Sequence, residues 1–178
     1  QEYSPEKYDS EYFKKFFEKT NTHIVFGAFL EICGIEYLIG YCLGNLCREK
    51  TFFQNVKKIY RTKTCKRSCI NFFSTNPERY GTIVNIAVID EYRKMGLGKK
   101  LLTYMENELR QRGAIGIMAH IIEHNCSGLK FFECCGWKYG GFVSKYYNFG
   151  GNLYDGQVYY KILFYENEFD EIEHRGLN

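Results

Sequence analysis

A chain of 178 residues, 45% hydrophobic and 18% aromatic, carries enough apolar material for the core of one domain. Its formal net charge of +3 is too small to imply a nucleic-acid partner, and no apolar run reaches the roughly 18 residues that a membrane-crossing helix needs. The cysteines (Cys33, Cys42, Cys47, Cys65, Cys69, Cys126, Cys134, Cys135) lack the paired spacing of a zinc site, so no metal is expected, and they fit a reducing, cytoplasmic setting.

In chain order, Asp9 to Thr20 places Tyr12, Phe13, Phe16 and Phe17 at helical spacing behind an N-cap at Asp9 or Ser10. His23 to Leu46 reads as two strands joined by a short turn near Cys33-Gly34. An irregular insertion follows over 47–79. Its Arg48–Arg67 stretch holds eight Lys or Arg against one acidic residue, Glu49, and reads as a solvated loop or as a patch for acidic peptide or membrane headgroups. The continuous apolarity of "GTIVNIAVI" (Gly81–Ile89) predicts a central strand. "KKLLTYMENELRQRG" then puts Leu101, Leu102, Met105 and Leu109 on one helical face and ends at Gly113, a C-cap. A strand over Ile115–Ile122 and a short helix over Cys126–Trp137, stopped by Gly136, come next. Two aromatic strands, "FVSKYYNF" and "GQVYYKILFY", close the domain across Gly150-Gly151, and a polar tail runs over 166–178. This alternation is an α/β mixture around one sheet.

Between the central strand and its helix lies "DEYRKMGLGKKLL" (Asp90–Leu102). Glycine in a helix's first turn costs roughly 1 kcal/mol against alanine, so Gly96 and Gly98 require a compensating reason. Free main-chain N–H groups and the helix dipole make such a start an anion site. Missing side chains at both glycines would admit a phosphate to the main chain, with Arg93, Lys94 and Lys99 adding charge. The first glycine of a dinucleotide fingerprint is absent, as is the Gly-Lys-Ser/Thr of a P-loop, so a tight turn without a ligand stays an alternative.

The stretch from Arg93 to Gly98 matches the Arg/Gln-x-x-Gly-x-Gly/Ala signature of the GCN5-related N-acetyltransferase (GNAT) superfamily. Asn125 and "LKFFECCGWK" (Leu129–Lys138) match its second element. The resemblance covers residues 23–163. It implies an α+β fold with a mixed central sheet splayed at the acetyl-CoA-binding strand, in one domain over 1–165 without the family's usual first strand and helix. Acetyl-CoA would lie in the cleft, on Ile86, Ala87 and Val88 and on the loop residues Arg93, Lys94, Met95, Gly96, Leu97, Gly98 and Lys99.

Within the superfamily the chain most resembles protein N-terminal (Nα) acetyltransferases acting on Met-starting chains. "EYSPEKYDSEYFKKF", "MAHIIEHNCSGLKFF" and "SKYYNFGGNLYDGQVYYKIL" carry that likeness. It implies His120 as the catalytic base, Asn125 and Phe132 as CoA contacts, and Tyr3, Val84, Tyr146 and Tyr147 as peptide contacts. The family's catalytic tyrosine on the central strand is Thr82 here, which leaves Tyr80, two residues earlier on the same face, for that role. Phe132 stands where a proton-donating tyrosine is common. The partners implied are protein N-termini, with lysine or small-molecule amines as the alternative and a catalytically silent acetyl-CoA-binding module as the rival.

Physical chemistry makes one histidine sufficient for an N-terminal amine. An α-amine has a pKa of about 7.7–8.0 against about 10.4 for lysine, so a useful fraction is neutral near pH 7. A histidine near its ordinary value of about 6.5 would serve as the base, directly or through water. The carbonyl oxygen under attack needs a fixed donor, expected at the N–H of Val88. His120 also has a plain reading, as a hydrogen-bonded core histidine on an apolar strand.

Overall fold

The computed structural model describes residues 22–47 and 80–163, together with Lys14 and Glu18, which are helical and exposed. Tyr3, most of the helix expected over Asp9–Thr20, the insertion beyond Cys47 and the tail from 166 lie outside the described residues. The elements are β1 (His23–Ile32), β2 (Ile35–Cys47), β3 (Tyr80–Val88), α1 (Leu97–Gln111), β4 (Gly116–Ile122), α2 (Cys126–Cys134), β5 (Lys138–Phe149) and β6 (Asn152–Ile162). The six strands form one sheet in the order β1-β2-β3-β4-β6-β5. Among the described strands only the β3–β4 pair is parallel, and α1 supplies its crossover.

Local chemistry explains the ladder. Cys33 and Gly34 both take positive φ (52° and 78°), which suits a two-residue hairpin turn whose twist matches the flanking strands. The amphipathic α1 buries Leu101, Leu102, Met105 and Leu109 against β2, β3 and β4. It lies close because Gly44 and Gly81 present no side chain there. A Cβ at Gly81 would come 2.6 Å from Leu109 Cδ1, and one at Gly44 would collide with Met105. Leu43, Tyr80, Met118 and Val158 alternate onto the opposite face and are buried as well. Among the described residues no helix is long and apolar enough to cross a membrane.

Two corrections to the element boundaries have physical causes. β5 begins at Lys138 rather than Phe142, because the Tyr139-Gly140-Gly141 stretch is a bulge within the strand, with Gly141 at φ 131°. β6 begins at Asn152, directly after the Gly150-Gly151 turn.

One ion pair ties the helical layer to the sheet. Glu106 of α1 accepts from Trp137 Nε1 (2.8 Å) and from Lys161 Nζ (2.8 Å) on β6, and Lys161 also reaches the carbonyl of Cys135 (3.3 Å). The Glu106 side chain is only 11% exposed, so its removal strands two donors in a region with little water. Glu106→Ala should therefore cost about 2 kcal/mol of unfolding free energy, read as a fall in the urea midpoint at unchanged slope. A midpoint within error of the parent would show that water replaces both bonds.

Candidate active site

Strands β3 and β4 pair from Tyr80–Gly116 to Ile83–Ala119 and no further, although β3 runs on to Val88 and β4 to Ile122. A bulge marks the parting. Gly44 opposes Ile83 and Leu43 opposes Asn85, so Val84 has no partner on β2. The extra residue resets the alternation, and Ile86 and Val88 pack with Ile83 against the α1 side of the core. Beyond the bulge the Ile89 N–H donates to the Ile39 carbonyl on the β2 side (3.0 Å). Alternation then turns the N–H groups of Ile86 and Val88 toward the edge that β4 has left. The opening thus has a row of main-chain donors along one wall.

At the end of β3 the chain makes a short 3-10 turn (Asp90–Tyr92) and enters the glycine loop. Arg93 closes that turn: its Nε donates to the Val88 carbonyl (2.8 Å) and its guanidinium pairs with Asp90 (2.6 Å). Lys94 sits at φ 60° and Gly96, the N-cap of α1, at φ 83°. The two glycines have different physical reasons. Nothing lies within 4 Å of a Cβ built on Gly96, so it is there for its left-handed backbone. A Cβ on Gly98 would press to 3.2 Å from the ring of Phe131, so Gly98 is there to let α2 approach.

The start of α1 fits an anionic group. Among the described residues no side chain caps Gly96, and the first turn holds no acidic residue. Lys100 N–H returns to the Gly96 carbonyl (3.0 Å), which leaves the N–H groups of Leu97, Gly98 and Lys99 without an intrahelical acceptor. Lys94, Met95 and Lys99 are exposed around them, Met95 at 67%. These residues fit an anionic group such as the pyrophosphate of a CoA thioester.

His120 is the first residue of β4 past the last pair with β3, on the face opposite α1. Its ring stacks on Tyr146 of β5, with centroids 4.2 Å apart and planes 4° from parallel. Tyr147 donates its hydroxyl to the His120 carbonyl (2.8 Å) and packs edge-on against Tyr146. Burial of the imidazole disfavours its charged form and lowers the pKa to about 4. The direction runs below the ordinary value of about 6.5 expected from the sequence and favours the neutral ring.

The remaining site residues from the sequence fall into two groups. Ile86, Ala87, Val88, the loop from Arg93 to Lys99, His120 and Tyr146 border the opening. Tyr146 is 43% exposed, and Val84, the bulge residue, is 37% exposed. Tyr80 is not brought there. It pairs with Gly116 at the closed end, about 10 Å of strand before the parting, with its side chain wholly buried. Thr82, half-buried, lies in the paired segment too. Phe132 is buried between Trp137 and Tyr159 in the core. Asn125 is the N-cap of α2, its Oδ1 accepting from Gly128 N–H (2.8 Å) and Ser127 Oγ (3.0 Å). Phe131 against Gly98 was not legible as a neighbour of the loop; the Phe-Phe pair carries no signal for which ring faces it.

Comparison with known proteins agrees with this geometry. Over 66 residues the chain is 30% identical to [ribosomal protein bS18]-alanine N-acetyltransferase of Escherichia coli strain K12, a match spanning 37% of this chain and 45% of that relative. The chain thus matches less than half the length of that enzyme. Among solved structures, Arabidopsis thaliana NAA60 in complex with acetyl-CoA superposes with a TM-score of 0.67 at 18% identity, covering 89% of this chain and 85% of that one. The ribosomal-protein-S18-alanine N-acetyltransferase from Escherichia coli gives a TM-score of 0.57 at 17% identity, covering 89% and 81%. These likenesses show the shared fold. The family model described as acetyltransferase (GNAT) family matches residues 1–137, well over half of the sequence, and the chain belongs to that family.

Proposed function

We propose that this protein transfers an acetyl group from acetyl-CoA to a primary amine, and that the amine is the N-terminal α-amine of a protein. The observation that supports it most is the parting of β3 and β4 after Ile83–Ala119, with His120 at its edge under Tyr146 and an uncapped helix start at its rim. The [ribosomal protein bS18]-alanine N-acetyltransferase, by its name an enzyme with a protein acceptor, supports a protein amine.

Acetyl-CoA supplies the thioester. The chain's own residues do the rest. Leu97 to Lys99 hold the pyrophosphate on main-chain N–H groups, and the Val88 N–H stabilises charge developing on the thioester carbonyl oxygen. The amine nitrogen forms the new C–N bond as the C–S bond breaks, and the thiolate takes its proton from water. With a pKa of about 4, His120 is a poor match for an intact ammonium but a ready acceptor for a neutral amine or for a water beside it. It orients the lone pair first and accepts the proton once bond formation has made the nitrogen acidic.

The acceptor's own pKa favours the α-amine over lysine, whatever the base. Drawing a proton onto a group near 4 from an amine at about 7.7–8.0 is uphill by nearly four units, and from lysine at about 10.4 by more than six. The substrate must therefore arrive neutral, which an α-amine does near pH 7 far more often. Steady-state kinetics on paired peptides, one with a free Met-Leu or Met-Lys terminus and one blocked but carrying an internal lysine, should give much the higher kcat/KM for the free terminus. Equal or higher values on the blocked peptide would promote the lysine reading.

The same chemistry fixes the pH profile. Between pH 5 and 7, log kcat/KM should rise with slope one from amine deprotonation alone, because His120 stays neutral there. A steeper limb beginning near pH 6.5 in the parent, and lost in His120→Gln, would mean that the folded imidazole titrates at its ordinary value. His120→Gln should lower kcat by roughly 10²-fold while leaving CoA affinity intact.

Isothermal titration tests the cofactor reading without activity. Gly98→Leu, which pushes on Phe131 and so displaces the start of α1 with its free N–H groups, should weaken CoA binding by at least about tenfold. Failure of the parent protein to bind CoA would sink the assignment.

A further inference from the structure

The stack of Tyr146 on His120 depends on an irregularity in β5 that a regular ladder would not produce. Val143 pairs with Gly156 and Tyr147 with Tyr154, so Ser144, Lys145 and Tyr146 together oppose the single residue Asp155. Within that bulge Lys145 takes φ 56°, a left-handed conformation that a residue with a side chain adopts at a cost. The Asp155 carboxylate accepts the Lys145 main-chain N–H at 2.8 Å. The bulge therefore has one side-chain acceptor in place of the missing ladder bond.

Asp155 is itself fixed to the histidine's strand. Its carbonyl accepts from Glu123 N–H (3.1 Å), and its own N–H makes a longer bond to Glu123 Oε1 (3.4 Å). Glu123 directly follows the end of β4, three residues after His120. Next to Asp155, Gly156 clears the space for the tyrosine: a Cβ there would come within 3.0 Å of Tyr146 Cβ and Cγ. The left-handed Lys145, the anchored carboxylate and the bare Gly156 converge on one outcome, the Tyr146 ring laid flat on the imidazole.

We propose that Asp155 is a positioning residue: by holding the Lys145 N–H it maintains the β5 bulge that sets Tyr146 over His120. It acts through Tyr146 and does not touch the reacting atoms. The inference rests on the reading of His120 and Tyr146 as site residues, and its test separates the two.

A ring stacked at 4.2 Å shifts the His120 imidazole protons upfield in NMR, and Tyr146→Leu identifies that shift by abolishing it. Asp155→Ala should lose most of the shift and lower kcat/KM on an N-terminal peptide by roughly tenfold or more, with CoA affinity unchanged. Asp155→Asn, whose amide oxygen can still accept the Lys145 N–H, should retain both the shift and the rate. If Asp155→Ala does not fold, Asp155→Leu, similar in size but without an acceptor for the Lys145 N–H, takes its place in the same comparison. A full upfield shift in the folded alanine variant overturns the proposal. Loss of the shift at unchanged kcat/KM keeps the role of Asp155 in holding the bulge and overturns the catalytic reading of His120 and Tyr146.

Discussion

Everything at the candidate site depends on where two parallel strands stop sharing hydrogen bonds. Main-chain N–H and C=O groups are obligatory bonding groups, and a sheet normally consumes them in its ladder. Here β4 leaves β3 after Ala119 while β3 keeps its other edge on β2, so the sheet does not unravel. The donors released at Ile86 and Val88 face a gap instead of a strand. A row of fixed dipoles of this kind needs no reorganisation when charge develops beside it, which is what stabilises a carbonyl oxygen under attack. The Val84 bulge makes the gap compatible with the core, because it keeps Ile83, Ile86 and Val88 all on the side of α1.

The glycine loop is a second consequence of that parting. With β3 ending free of β4, the chain must reverse direction onto α1 within a few residues. Arg93 secures the reversal by bonding the last strand carbonyl and Asp90, so its charge is partly spent on structure. The cost of glycine near the helix start is offset in two ways: Gly96 takes a conformation that other residues reach only with strain, and Gly98 lets Phe131 and α2 close on α1. The helix start also has no side-chain cap, so its free main-chain N–H groups suit the anion site proposed there.

Local chemistry made the elements around the site legible from sequence. The hairpin turn at Cys33-Gly34, the apolar stripe of α1 and the left-handed Gly113 after it all follow from short-range rules, and the structure has them. The resemblance brought His120, Tyr146 and the loop together. The departures arise from relations between distant residues. Tyr80 reads as a site residue because it shares a face with Thr82, yet the strands part only after Ile83 and its ring stays in the core. The lowered His120 pKa comes from burial, to which a ring 26 positions away contributes, and no pattern within β4 reveals that. The bulges at Val84 and over Ser144–Tyr146 leave no periodic signature, since each is a slip between two strands rather than a property of one.

The strain in the backbone has a pattern that ties these points together. Apart from Cys33 in the hairpin turn, the described residues with a side chain and positive φ are Lys94 and Lys145. One stands on the glycine-loop side of the opening and the other on the tyrosine side. Each such residue costs on the order of 1–3 kcal/mol and persists only where its surroundings over-determine it. At Lys94 the surroundings are the Arg93 clamp and the Gly96 cap; at Lys145 they are the Asp155 carboxylate and the flanking ladder. The sheet's regular interior supplies the stability that offsets both. Two rigid walls result, one offering main-chain donors and the other a stacked imidazole. The space between them is set by where β4 turns away from β3, and it is where the proposed reaction would bring an amine to a thioester.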